Sequence, residues 1–221
     1  MIVDHVNALW FDHKIFWMLL AGRGTFPLFC YAVAVAVLKT EGRFPARYVT
    51  RMFLFAVAAE PFYYFAFGTP DGNVIFTLAA GALAAAFVRR VRLWQMYALY
   101  IGAAASMLLP FPVEFGLAGI MLPSAIVLAL RGERSVLPFL ILLLFSVNMG
   151  DFLNEIQKGI SPAAWRAFFV IGVACVVLPA MALELAGNLR QTGRLLSKYA
   201  LYVFYPAHLF LLKIIGLAFF R

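Results

Sequence analysis

Apolar residues run through this chain in long blocks, not in the alternating pattern of a half-buried strand. Eight blocks read as membrane spans: about residues 15–38, 49–67, 73–88, 94–110, 115–130, 135–149, 164–186 and 199–219. A bilayer-crossing helix needs about 20 mostly apolar residues. The blocks at 115–130 and 135–149 are short by that measure, so one is expected to tilt into the bundle or to lie partly in the interface. The breaks carry turn chemistry: Gly42 and Pro45, Thr69-Pro70-Asp71-Gly72, Pro110-Phe111-Pro112, Gly159 to Pro162, and Gly187. The pattern predicts an all-α, polytopic membrane helical bundle, a single domain over 1–221 with eight full transmembrane helices. No soluble domain, repeat or low-complexity segment interrupts it.

Composition narrows the class further. Of the 221 residues, 65% are hydrophobic and 13% charged, against about 45–50% and 25% for a soluble domain. A disordered chain, a nucleic-acid-binding domain and an ordinary cytosolic enzyme are all disfavoured. Aromatic residues, 16% of the chain with 23 Phe, read as lipid contact and interfacial belt. Cys30 and Cys175 lie inside apolar blocks with no Cys-x-x-Cys neighbour, so they read as small hydrophobes and not as metal ligands. No metal site, Walker motif or hydrolase elbow is present.

The net charge of +8 does not mark a polyanion footprint. Lys39, Arg43, Arg47 and Arg51 follow the first block. Arg89, Arg90 and Arg92 follow the third, Arg131 and Arg134 the fifth, and Arg190, Arg194 and Lys198 the seventh. These twelve of the 18 basic residues sit in alternate loops, which places that set in the cytoplasm and the C-terminus outside. Residues 1–11 are apolar but too few to cross. They read as the outer half of a helix, either short in itself or continued upstream of Met1. They do not form a signal peptide, lacking a basic start and a cleavage site.

Ionisable groups in hydrocarbon are costly and mark function by default. Arg23, about nine residues into the first block, lies roughly 13 Å deep at 1.5 Å per residue. Gly22 and Gly24 flank it, and Pro27 is expected to loosen the helix. It reads as an anion or carbonyl site, or as a structural Arg paired with Glu60. His208 lies at similar depth in the last block. Tyr205 shares its face at i,i+3, and Pro206 leaves the Tyr202 carbonyl without its helical donor. Asp4 and His5 are neighbours about 100° apart on a helix, so His5 needs a partner from another helix. Asp12-His13 repeats the dipeptide at the water boundary, where solvation explains it. Glu60, before Pro61, is a counter-ion for Arg23 or a proton carrier. Asn73 reads as a helix N-cap or as a hydrogen-bonder in the site. Glu184 and Asn148 read as solvated or capping.

At these same residues the chain resembles the TraX family, membrane proteins linked to N-acetylation of conjugative pilin. Met1-Ile2-Val3-Asp4-His5, Gly22-Arg23-Gly24-Thr25-Phe26-Pro27, Tyr48–Arg51 leading to Phe55, Pro61 and Phe62, Asn73–Leu78, and Tyr202–Leu209 match its motifs in order. The family pattern has about half a helix more at the start, and 111–165 carries no matching motif. The resemblance extends to membrane acyltransferases that move acetyl from cytosolic acetyl-CoA to acceptors at the outer leaflet. It implies a buried His as base and an Arg close by.

On that resemblance, the expected function is acetyl transfer from acetyl-CoA to an acceptor at the outer half of the bacterial cytoplasmic (inner) membrane. A pilin amine is the first candidate acceptor and an envelope glycan hydroxyl the second. Arg47, Arg51, Arg89 and Arg90 would hold the donor's phosphates. Arg23 and Tyr205 would stabilise the oxyanion. His5, beside Asp4, would act as base, with His208 positioning thioester or acceptor. Direct transfer is the simpler scheme, with an acetyl-His intermediate as the alternative. A small proton-coupled transporter would show similar buried charges, but also inverted repeats or paired broken helices, and none is found. A non-catalytic envelope-assembly partner is the third class.

Overall fold

The computed structural model describes residues 1–40, 44–88, 93–105, 113–147, 170 and 200–219. Within them all regular structure is helical: α1 Ile2–Phe11, α2 Phe16–Gly22, α3 Thr25–Leu38, α4 Ala46–Phe67, α5 Val74–Phe87, α6 Leu93–Ala105, α7 Gly116–Leu130, α8 Leu137–Ser146 and α9 Ala200–Phe219. A short 3-10 turn, Arg134–Val136, leads into α8. The expected span at 164–186 lies outside the described residues apart from Val170.

The first apolar block is not one helix, as the hydrophobic pattern predicts, but two. α2 ends at Gly22 and α3 starts at Thr25, with Arg23 and Gly24 in the turn between them. Pro27 is the third residue of α3. A helix leaves its first N–H groups without intrahelical acceptors, so a proline there costs no bond. Pro27 therefore starts a helix and does not loosen one. The break holds Arg23 off any regular helix face.

Contacts between named pairs give the helix directions. Phe55 stacks on Tyr202 (4.4 Å between centroids), Phe65 meets Phe210, and Lys213 Nζ donates to the Ala66 carbonyl at 2.9 Å, so α4 and α9 run parallel. His5 meets His208, and Trp10 Nε1 donates to the Leu212 carbonyl at 3.0 Å, so α1 is parallel to α9. α5 and α7 are also parallel. A Cβ on Gly119 would lie 2.9 Å from Thr77 Cγ2, and one on Gly81 would lie 2.8 Å from Pro123 Cγ. Glycine at both positions lets these two helices approach closely, as membrane helices do. The end of α5 meets the start of α4 through Phe44 and Phe87. One end of the bundle thus gathers the ends of α3, α5 and α7 and the starts of α4, α8 and α9. Lys39, Arg47, Arg51, Arg131 and Arg134 lie at that end, the alternation read from the loops.

The exterior is apolar. Leu54, Tyr64, Val203 and Leu211 each stand about 60% exposed, and Phe53, Val57, Trp94 and Ile101 are exposed with them. Soluble monomers rarely show such contiguous apolar surface. Among the described residues one helix, over Tyr202–Phe219, is long and apolar enough to cross a membrane. Thr25–Leu38, Val74–Phe87, Gly116–Leu130 and Arg134–Ser146 are apolar but shorter.

Candidate active site where the first and last helices meet

α1 is anchored at its end by Asn7, which is fully buried. Its amide grips the Ile15 peptide on both sides: Nδ2 donates to the Ile15 carbonyl at 2.9 Å, and Oδ1 accepts from the Ile15 N–H at 3.0 Å. That grip holds the reversal through Asp12 and His13, both with positive φ. Asp12 and His13 are exposed, as expected of the water boundary, and Asp12 pairs with Lys14 at 3.6 Å.

The partner that His5 needs is His208. Both are buried, and His5 Nδ1 lies 2.8 Å from His208 Nε2, with the rings stacked at 5.0 Å and 7°. His208 Nδ1 lies 2.8 Å from the Phe204 carbonyl. A carbonyl can only accept, so His208 Nδ1 carries a proton. With both imidazoles neutral, His208 Nε2 accepts from His5 Nδ1–H, and His5 Nε2 is left with the unshared pair. The acceptor used on α9 is Phe204, not the Tyr202 carbonyl that Pro206 was expected to make available. Tyr205 lies edge-on to both rings, at 6.3 Å from His5 and 5.7 Å from His208. Its hydroxyl is buried beside the Val74 backbone with no well-formed hydrogen bond among the described residues.

Asp4 does not join His5, as the 100° offset predicts. It abuts Gly22, where an added Cβ would fall on the Asp4 carboxylate. Gly22 is there because the α1 carboxylate occupies the space of a side chain. Asp4, His5 and Arg23 line one cavity of about 300 Å³ with Tyr63, Phe67, Glu114 and Phe115, and His13 borders it. A smaller space of about 40 Å³ joins His5 and Asp4 to Met1, Thr25, Phe29, Val74 and Glu114. An apolar cavity of about 150 Å³ shares Met1, Phe29 and Val74 with that space and is lined further by Tyr48, Tyr202 and Tyr205. The smaller space in turn shares Asp4, His5, Glu114 and Phe115 with the cavity at Arg23.

Glu60 and Asn73 are brought together at the edge of this constellation, with Glu60 in electrostatic reach of Tyr63 and Tyr205. Asn73 Nδ2 and its backbone N–H donate to Glu60 Oε2 at 2.6 and 3.1 Å, and Nδ2 also donates to the Ala56 carbonyl. Asn73 Oδ1 accepts from Ile75 N–H at 3.0 Å, so Asn73 is the α5 N-cap. Glu60 thereby serves as the acceptor that locks the α4–α5 corner. Of the expected donor-binding arginines, Arg47 is exposed and Arg51 half-buried, while Arg89 and Arg90 lie outside the described residues. Among the described residues no group of three His, Cys, Asp or Glu is placed to hold a metal ion.

Glu114 escaped the sequence reading. The chain before α7 pairs Gly72 with Val113, Glu114 N–H donates to the Gly72 carbonyl, and the Glu114 carbonyl accepts from Thr77 Oγ1. Phe115 then takes a left-handed conformation and stacks on Phe26 at 3.9 Å. The Glu114 side chain is thus set into the cavity wall. The available signal was a lone carboxylate between aromatic residues in a loop expected on the same side as Asp4.

The first and last helices thus bring a buried histidine pair to a cavity that also holds an arginine and two carboxylates. The TraX protein family model matches residues 1–216, so the chain belongs to the TraX family. It is 27% identical over 225 residues to Protein TraX of Escherichia coli, covering 98% of this chain and 83% of that protein. It is 29% identical over 228 residues to Protein TraX of Escherichia coli strain K12, with the same coverage. No solved structure matches.

Proposed function

We propose that this protein is a multi-pass enzyme of the bacterial inner membrane. It would transfer acetyl from cytosolic acetyl-CoA to an acceptor at the outer half of the bilayer, a pilin N-terminal amine first. The observation that carries the reading is the chain from the Phe204 carbonyl through His208 to His5, which leaves a lone pair on His5 Nε2 at a cavity that Arg23 also lines.

His5 Nε2 takes a proton from the acceptor as its nitrogen or oxygen attacks the thioester carbonyl. Base catalysis of this kind contributes about 10²–10⁴-fold. Arg23 stabilises the negative charge that develops on the carbonyl oxygen, where a fixed cation in a dry site acts strongly. The C–S bond then breaks, and the departing thiolate recovers the proton from His5. His208 fixes the His5 ring and tautomer, as the orienting member of a hydrolase triad does. Tyr205 stands beside both rings. Asp4 and Glu114, which line the same cavity, would attract the acceptor's amine. The apolar exterior and the gathering of basic residues at one end support a multi-pass placement with that end in the cytoplasm.

The test is release of free thiol from acetyl-CoA by the purified protein in detergent, with cognate envelope extract as acceptor. Acceptor-dependent release that falls in Arg23→Lys, where a point charge replaces the guanidinium fork, is the expected result. No release from wild type overturns the reading.

A further inference from the structure

We propose that His13, at the exposed mouth of the cavity, carries away the proton that an amine acceptor must shed before it can attack. This rests on the acyl-transfer reading above and adds an outlet that the His5–His208 pair does not provide.

The proton balance requires such an outlet. An α-amino group has a pKa of about 7.7–8.0, so at neutral pH it arrives mostly as ammonium. Asp4 and Glu114 line the cavity against one arginine, which favours that cation. The nitrogen has no lone pair until one proton leaves. A second proton leaves as the C–N bond forms. His5 takes the second and returns it to the sulfur, which departs with the electron pair of the broken C–S bond. An ammonium and a thioester thus give an amide, a thiol and one free proton. A hydroxyl acceptor gives an ester and a thiol, with no proton left over.

That proton has no way out through the histidine pair. His5 is buried and holds Nδ1 against His208. The far nitrogen of His208 donates to the Phe204 carbonyl, which only accepts. The way out is the cavity of about 300 Å³, which His13 lines together with Asp4, His5, Arg23, Tyr63 and Glu114. Tyr63 is buried, and Asp4, Arg23 and Glu114 are half-buried, but His13 is exposed. It borders the reacting groups and the solvent at once, within electrostatic reach of His5. Imidazole is the side chain suited to taking up and giving back protons near neutral pH.

The chain fixes this imidazole in place. His13 has φ 57°, in the left-handed region. Its N–H donates to the Asn7 carbonyl at 3.0 Å, and the Lys14 N–H donates to the Phe11 carbonyl at 3.0 Å. The buried Asn7 amide holds Ile15 on the other side of the turn. The charged neighbours Asp12 and Lys14 pair with each other at 3.6 Å in solvent.

The test follows thiol release from acetyl-CoA by the whole purified protein in detergent. Cognate envelope extract, dialysed into weak buffer, serves as acceptor, with and without added imidazole. His13→Asn keeps the left-handed turn, which Asn adopts readily. Its rate at saturating acetyl-CoA is expected to fall about 10²-fold in weak buffer, the low end for a positioned proton-transfer group. KM for acetyl-CoA should not change. Added imidazole should restore most of the rate, because a diffusing base replaces the lost one, and should leave wild type as it was. His13→Gly, which suits the same backbone, should show the same loss and rescue. A variant as fast as wild type in weak buffer overturns the proposal, and is the result a hydroxyl acceptor would give. A loss that imidazole fails to restore also overturns it, marking His13 as a structural member of the turn. No thiol release by wild type sinks the acyl-transfer reading itself, whereas release indifferent to His13 sinks only this outlet.

Discussion

His5 Nδ1 and His208 Nε2 stand 2.8 Å apart although 203 positions separate them in the chain. The contact joins the first helix to the last, and Trp10 bonding to the Leu212 carbonyl repeats the join about one turn later. A buried imidazole pair with one ring tied to a backbone carbonyl has a fixed proton order. In the proposed acetyl transfer that order makes His5 the base and His208 the positioning residue.

The two histidines should then behave as one unit. His5→Ala is expected to lower the transfer rate by about 10²–10⁴-fold. His208→Ala should lower it less, because a base remains but its orientation is lost. The double variant should be no slower than His5→Ala, since groups acting as a unit are non-additive. Multiplying losses in the double variant, measured by single-turnover rates, would assign the rings separate tasks.

Gly22 should tolerate no side chain. An added Cβ would lie 2.6 Å from Asp4 Cγ and 2.7 Å from Asp4 Cβ. Gly22→Ala is expected to destabilise by about 1–3 kcal/mol, the usual cost of overpacking, and to displace α1 from the Arg23 turn. Gly102→Ala meets nothing within 4 Å and should be neutral or stabilising in α6. Thermal unfolding in detergent checks both, and an unaffected Gly22→Ala would place Asp4 elsewhere.

Glu60→Gln should retain most activity. A neutral amide oxygen still accepts from Asn73, so the α4–α5 corner stays closed. Asn73→Ala, in contrast, removes a helix cap worth about 1 kcal/mol and the side-chain bonds to Glu60 Oε2 and the Ala56 carbonyl, leaving Glu60 only the backbone N–H of residue 73. It should lower the unfolding temperature well below that of Glu60→Gln. A tenfold loss of turnover in Glu60→Gln with stability intact would restore Glu60 as a proton carrier.

Much of the site was legible because its members are costly in hydrocarbon and each carries a local signature. Arg23 lies between glycines, His208 follows Tyr205 and Pro206, and Asn73 precedes an apolar run. The missing partner of His5 was predicted as a requirement, though not named, because helix geometry excluded Asp4. What escaped depends on pieces of chain distant in sequence. Glu114 reaches the cavity only through the Gly72–Val113 pairing and the left-handed Phe115. Asn7 matters only because the chain doubles back to Ile15. The break in the first apolar block was hidden because hydropathy does not register a glycine turn, and Pro27 was read as a kink inside a helix when it stands at a helix start.

The proposed orientation in the membrane, with the basic end in the cytoplasm, can be tested by labelling. In a background lacking Cys30 and Cys175, Asp71→Cys should react with a membrane-impermeant thiol reagent added outside intact cells. Arg131→Cys should react only after the cells are opened. The reverse pattern would invert the bundle and place the donor on the wrong side.

The most direct test of acetyl transfer uses membranes carrying wild type or His5→Ala, supplied with radiolabelled acetyl-CoA and cognate envelope extract. Wild type should label one acceptor and His5→Ala should leave it unlabelled, while both bind acetyl-CoA to a similar extent. Equal labelling by His5→Ala, or no labelling by wild type, would contradict the account.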